Sequence, residues 1–144
     1  MKATAIIDLM VRDHGTIVKL LKDVEQCLDE NTIEKMKVFD VFSWHVDKHL
    51  FTEEKALFTF YDPENITEGY KMIPRLIQEH NEITNRLRVM RRSLLRNSTV
   101  DFQGLKTLLM NHKNFEEEQV YPKLDQELSD EQKNLIIGRI QEIM

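Results

Sequence analysis

Four of the five histidines in this 144-residue chain sit at spacings that a helix would aim at a shared interior, and two of them are followed one turn later by a glutamate. They are His14, His49 with Glu53, His80, and His112 with Glu116, giving the order H, HxxxE, H, HxxxE with the first two histidines 35 positions apart and the second two 32 positions apart. On a helix, residues i and i+4 point the same way about 6 Å apart, so each HxxxE can present an imidazole and a carboxylate to one point. Nitrogen and oxygen donors of this kind suit a pair of borderline or hard transition-metal ions. Burying six such polar groups separately would be costly, and coordination removes the cost for all six together. His45, one turn before His49, could serve as a fifth nitrogen ligand, as a hydrogen-bond partner of one, or as a neighbour of Trp44 at a pocket mouth. Glu54, Glu117 and Glu118 fall about 100° to 200° around the helix from the ligand face and are expected in solvent.

The elements that must position these groups are legible as apolar seams. Ile7, Met10, His14, Ile17, Leu21, Val24 and Leu28 alternate gaps of 3 and 4, as do Ile73, Leu76, His80, Ile83, Leu87, Met90 and Leu94. That alternation marks helices packing against near-antiparallel neighbours in a bundle, each with a histidine in a seat that otherwise takes an aliphatic residue. The first helix is predicted from about Ala5 to Leu28. The second is signalled by Asn31 with Glu34 and runs to about Phe58 before Asp62 and Pro63, with Val38, Val41, Phe42, His45, His49, Glu53 and Leu57 inward. In the third, Pro74 is expected in the first turn, with a helical lead-in from Asn65 as the alternative. The fourth begins near Ser98 to Asp101 and continues through Leu105, Leu108, Leu109, His112, Glu116 and Val120 to Pro122. Ser129 with Gln132 caps a short fifth helix carrying Leu135, Ile136, Ile140 and Ile143. The prediction is an all-α, up-down-up-down four-helix bundle with a short C-terminal fifth helix, one domain over residues 1–144. A weak internal duplication relates HLFTEEKALFTFYD at His49 to HKNFEEEQVYPKLD at His112.

Composition narrows the partners. Hydrophobic residues make up 41% and charged residues 31% of the chain, with four Gly and three Pro, which excludes disorder and fibrous repeats. A net charge of −5 with mixed signs argues against nucleic acid or an anionic membrane as partner. The run RLRVMRRSLLR from Arg86 to Arg96 reads as the wet face of a helix. Cys27 is the lone cysteine and a bystander; together with an N-terminal apolar run broken by Asp8, it sets the expectation of a cytoplasmic protein without signal or membrane segment. ExxH on two helices, HExxH, a Gly-rich phosphate loop and a nucleophile elbow are all missing from the sequence.

The H, HxxxE, H, HxxxE order, with EEKALF and EEEQVYP after the histidines, resembles the hemerythrin-like family, the HHE cation-binding domain, over about residues 5 to 124. The resemblance implies a bundle holding two non-haem iron ions that meet O2, nitric oxide or peroxide. Oxygen-carrying members use a histidine pair on the third helix and a final aspartate five residues after the last histidine. Here Leu76 and Thr84 flank His80 and Glu117 stands at that position. The set of His14, His49, Glu53, His80, His112 and Glu116 is more similar to the bacterial di-iron proteins of nitric oxide stress and iron–sulfur repair. With Glu53, Glu116 and an oxo or hydroxo group as bridges, each iron keeps an open position. The resemblance leaves two roles: a possible di-iron oxidoreductase, or a ligand-gated sensor or iron-donating partner protein of little turnover, docking through its acidic surface and fifth helix.

Overall fold

The computed structural model describes residues 2–58 and 68–143. Their helices are α1 (Lys2–Gln26), α2 (Thr32–Thr52), α3 (Glu68–Leu95), α4 (Phe102–Phe115), α5 (Tyr121–Glu127) and α6 (Asp130–Ile143). The fold is an all-α bundle with a short C-terminal helix, α6. Two π-helical turns, Glu53–Leu57 and Glu116–Val120, extend α2 and join α4 to α5.

The caps follow from side-chain chemistry. Asn31 Oδ1 accepts the Glu34 amide at 2.9 Å, Asp101 Oδ1 accepts the Gly104 amide at 2.9 Å, and Ser129 and Gln132 exchange two bonds at the start of α6. Each satisfies a first-turn donor that the helix itself leaves unpaired. Asn97 ends α3 in the left-handed region, φ 52°, and its Oδ1 accepts from the buried Lys35 ammonium at 2.7 Å.

The seam of α3 is buried at all seven expected positions, and that of α1 at His14 and its aliphatic neighbours, with Ile6 deeper than Ile7. In α2 the inward face differs from the expected one. Met36, Phe39, Phe42, Val46, His49, Leu50 and Glu53 are buried, while Val41 is 51% exposed, and Val38 and His45 are half-buried. Apolar residues occur on both sides of this helix, so two phases fit the sequence, and they share His49 and Glu53. On α6 the buried stripe is Lys133, Ile136 and Ile140, and Leu135 faces solvent.

Two helix boundaries also differ. Pro74 lies inside α3, six residues after its start, so the lead-in is realised from Glu68; Asn65, Asp62 and Pro63 lie outside the described residues. The fourth rod does not stop at Pro122. The Tyr121 amide reaches back five residues to the Glu116 carbonyl, and Pro122 falls in the first turn of α5, where its missing N–H leaves no bond unmade.

The apolar core forms two clusters. One contains Ile17, Leu21, Phe39, Phe42, Val46, Ile83, Leu87 and Leu105; the other contains Met10, Leu57, Ile73, Leu76, Val120, Tyr121, Ile136 and Ile140. On every long rod the histidine falls between the two. That order, reversed from each rod to the next, is what up-down-up-down packing requires. Among the described residues, no helix is long and apolar enough to cross a membrane.

Candidate metal centre

His14 of α1, His49 of α2, His80 of α3 and His112 of α4 turn their rings into the gap between the clusters, each 5% exposed or less, with Glu53 and Glu116 fully buried among them. All six expected groups are therefore brought together. His14 Nε2 and His112 Nε2 lie 3.1 and 3.3 Å from Glu116 Oε1, and His49 Nε2 and His80 Nε2 lie 3.2 and 3.4 Å from Glu53 Oε1. Two ligand groups result: Glu53, His80, His112 and Glu116 in one, and His14, His49 and Glu116 in the other, with donor atoms within 4.8 Å of one another in each.

The outer nitrogens form a closed ring that local spacing did not reveal. His49 Nδ1–H donates to Asp13 Oδ2 at 2.5 Å, His14 Nδ1–H to Glu117 Oε2 at 2.7 Å, His112 Nδ1–H to Glu79 Oε1 at 2.7 Å, and His80 Nδ1–H to Glu54 Oε1 at 3.2 Å. Each rod thus gives one imidazole to the centre and one carboxylate to a neighbouring rod's imidazole. In the neutral imidazole this fixes the tautomer with the proton on Nδ1 and aims the Nε2 lone pair inward. Glu79 is itself held by Arg75 Nε at 2.9 Å, and Lys113 Nζ lies 3.5 Å from Glu117.

Glu117 is thus half-buried and not the solvated group expected from an ideal helix, while Glu54 is exposed as expected and still accepts from His80. The π turns begin at Glu53 and Glu116 and widen the rod to i→i+5 bonding, which swings the following carboxylate toward the adjacent histidine. Glu118 is exposed, as expected. The sequence reading missed Asp13, Glu79 and Tyr121 as well. A signal existed: an acid directly precedes His14 and His80, and a second acid follows both HxxxE motifs.

His45 stays outside. It is half-buried on the flank of α2 and meets Trp44 edge-on, ring centroids 5.0 Å apart. Cys27 is half-buried, its thiol donating to the Val24 carbonyl at 3.2 Å.

Electrostatics mark the centre as strained without cations. Burial would lower the His49 pKa, but the Glu53 charge and the Asp13 bond raise it to about 9. Burial and the His49 charge push His14 down to about 4. Glu53 is held well below the carboxylate range, its burial outweighed by His49 and by bonds from its neighbours, while burial and the Glu53 charge drive Glu116 well above it. Protons thus do the charge balancing in the metal-free protein. Even so, His49 Nε2, His80 Nε2, His112 Nε2, Glu53 Oε1 and Glu116 Oε2 are buried without a hydrogen-bond partner. Buried polar atoms are normally paired, so five orphans facing one point fit cations held between them.

A helical bundle whose four long rods each contribute an imidazole, and two of them a carboxylate, to one buried point defines a metal-binding bundle. The chain belongs to the hemerythrin family: the hemerythrin HHE cation-binding domain matches residues 5–124. No curated protein and no solved structure matches it significantly.

Proposed function

We propose that the protein is a non-haem di-iron protein that binds or reacts with O2, nitric oxide or peroxide, with His14, His49, Glu53, His80, His112 and Glu116 as ligands. The observation that carries this reading is the set of five orphaned donor atoms at the junction of the two ligand groups. Each unpaired buried group costs roughly 1–3 kcal/mol, a penalty that coordination lifts. Mixed imidazole and carboxylate donors suit iron, which would supply one-electron redox chemistry when bound.

The chain's own residues shape what reaches that point. An apolar cavity of about 30 Å3 adjoins His14, His49 and His112, walled by Ile17, Leu21, Val46, Leu50, Ile83 and Leu109. It has room for a molecule of two heavy atoms and few polar groups to hold water, which favours a neutral diatomic. The carboxylate ring keeps the imidazoles oriented while such a ligand enters and leaves. Four histidines with two glutamates align the protein with the bacterial di-iron proteins of nitric oxide stress and iron–sulfur repair, and a cytoplasmic setting accords with a single free cysteine.

One observation favours the sensor or iron-donor reading as the alternative. The face of α2 opposite His49 and Glu53 exposes Ile33, Val41, Trp44 and Phe51, an apolar stripe suited to a protein contact. Anaerobic loading with Fe(II), a metal count, and exposure to air or nitric oxide test both. About two irons per chain with new visible charge-transfer absorption is the expected result, and an unchanged spectrum would overturn the proposal. Sustained turnover then marks an oxidoreductase, and saturable binding without turnover marks a sensor.

A further inference from the structure

The two buried carboxylates of the centre are not equivalent. Glu116 sets Oε1 between His14 and His112, at 3.1 and 3.3 Å, and its Oε2 has no hydrogen-bond partner. It belongs to both ligand groups. Glu53 turns Oε1 toward His49 and His80, but its Oε2 accepts the Tyr121 hydroxyl at 3.0 Å, and it belongs to one group only.

Tyr121 is 2% exposed and its ring stacks on that of His14, centroids 5.8 Å apart and 22° between planes. Its hydroxyl donates to Glu53 Oε2, lies 3.5 Å from His14 Nε2 and is close enough to Glu116 to feel its carboxyl, but the short bond is the one to Glu53. All three belong to the centre. The phenol is buried, so once His14 Nε2 is committed to a cation, a Glu53 oxygen that turns away gives up the hydroxyl's one short bond with no close acceptor to replace it.

We propose that the two metal positions are unequal and that Tyr121 is the positioning residue that makes them so. The Glu53–His80–His112–Glu116 position fills first, and the His14–His49–Glu116 position fills second because the Tyr121 hydroxyl holds the Glu53 oxygen that would otherwise turn to it. The inference rests on the two-metal reading above but concerns cation affinity and not redox chemistry. Donor counting points the same way: the first group offers two carboxylates and two imidazoles, the second one carboxylate and two imidazoles. With divalent cations, the added anionic donor strengthens the first position.

The test is an anaerobic titration of the metal-free full chain with Co(II), followed by its d–d absorption, and with Zn(II) by calorimetry. Two resolved steps are expected, the tight one lost in His80→Ala and the weak one lost in His14→Ala. Tyr121→Phe keeps the ring and removes only the hydroxyl; it should tighten the second step by about tenfold and leave the first in place, since a hydrogen bond to a charged group is being released. Two equal equivalents in the wild-type chain would overturn the inference, as would a Tyr121→Phe variant with the same or a wider gap. Absence of any binding would overturn both this inference and the two-metal reading. Unequal steps in a protein inert to O2 and nitric oxide would support the inference while removing the redox proposal.

Discussion

His49 holds its proton against burial because Glu53 and Asp13 both face it, and this has opposite consequences for the metal-free and loaded protein. Its pKa rises from 6.5 to about 9, so its stabilisation of the metal-free fold is complete below pH 6.5 and lost as the pH climbs through 9. The effect is on the order of 3 kcal/mol at full titration. His14 works from the other side: lowered to about 4, it stabilises above pH 6.5 and its contribution goes as the pH falls toward 4. Cations compete with the His49 proton, so metal affinity rises over the window in which the metal-free fold weakens. The melting temperature of the metal-free protein should fall from pH 6.5 to 9, the gap to the loaded protein should widen, and His49→Gln should flatten the decline. A level metal-free profile across that window would refute the assignment. At this scale the ligand candidates were legible because i, i+4 spacing is local. The roles of Asp13, Glu54, Glu79 and Glu117 were not: each stands beside a ligand motif but acts on a histidine of another rod, and spacing within one helix cannot name that partner.

Helices announce themselves through period, and the regular 3–4 seams of α1 and α3 carried their own phase. Val41, Trp44 and Phe51 blurred that phase in α2, and only packing against the neighbouring rods decided it. The π turns were invisible for a further reason: a widened turn changes the partner of a backbone carbonyl and leaves the residue pattern unchanged. Their cost is accepted where Glu53 and Glu54, and likewise Glu116 and Glu117, must both reach inward groups. Pro74 is a different irregularity, with no ligand to justify it. It sits in the interior of α3, where it deletes one i→i−4 bond and crowds the preceding turn, and it is exposed. Pro74→Ala should therefore stabilise the protein by about 1–2 kcal/mol, after allowing for the greater freedom of the unfolded chain. Chemical denaturation at equal metal loading checks this; a destabilised variant would mean that the proline itself is needed to seat Ile73 and Leu76.

The whole molecule is two apolar clusters separated by a polar layer, and that layering decides how far the fold depends on metal. Phe39, Phe42, Val46 and Leu105 lock one end, while Tyr121, Ile136 and Ile140 bring α6 onto the other, closing an end of the bundle that four rods alone would leave open. Each cluster buries many large side chains, at roughly 1.5–3 kcal/mol apiece, which is enough to keep the helices assembled without cations. Only the layer between them lacks full internal compensation, because five of its buried nitrogens and oxygens face oppositely charged neighbours without completing a hydrogen bond. Stripping the metal should then leave the far-ultraviolet helical signal intact and lower the melting temperature by about 10 °C, the shift expected when a ligand present at a hundredfold excess over its dissociation constant is withdrawn. Amide exchange should accelerate at the middle of the rods, around His49, Glu53, His112 and Glu116, while Phe39 and Leu105 keep their protection. Loss of helix throughout on chelation would show instead that the two clusters cannot stand apart, and that the cations are part of the core they bridge.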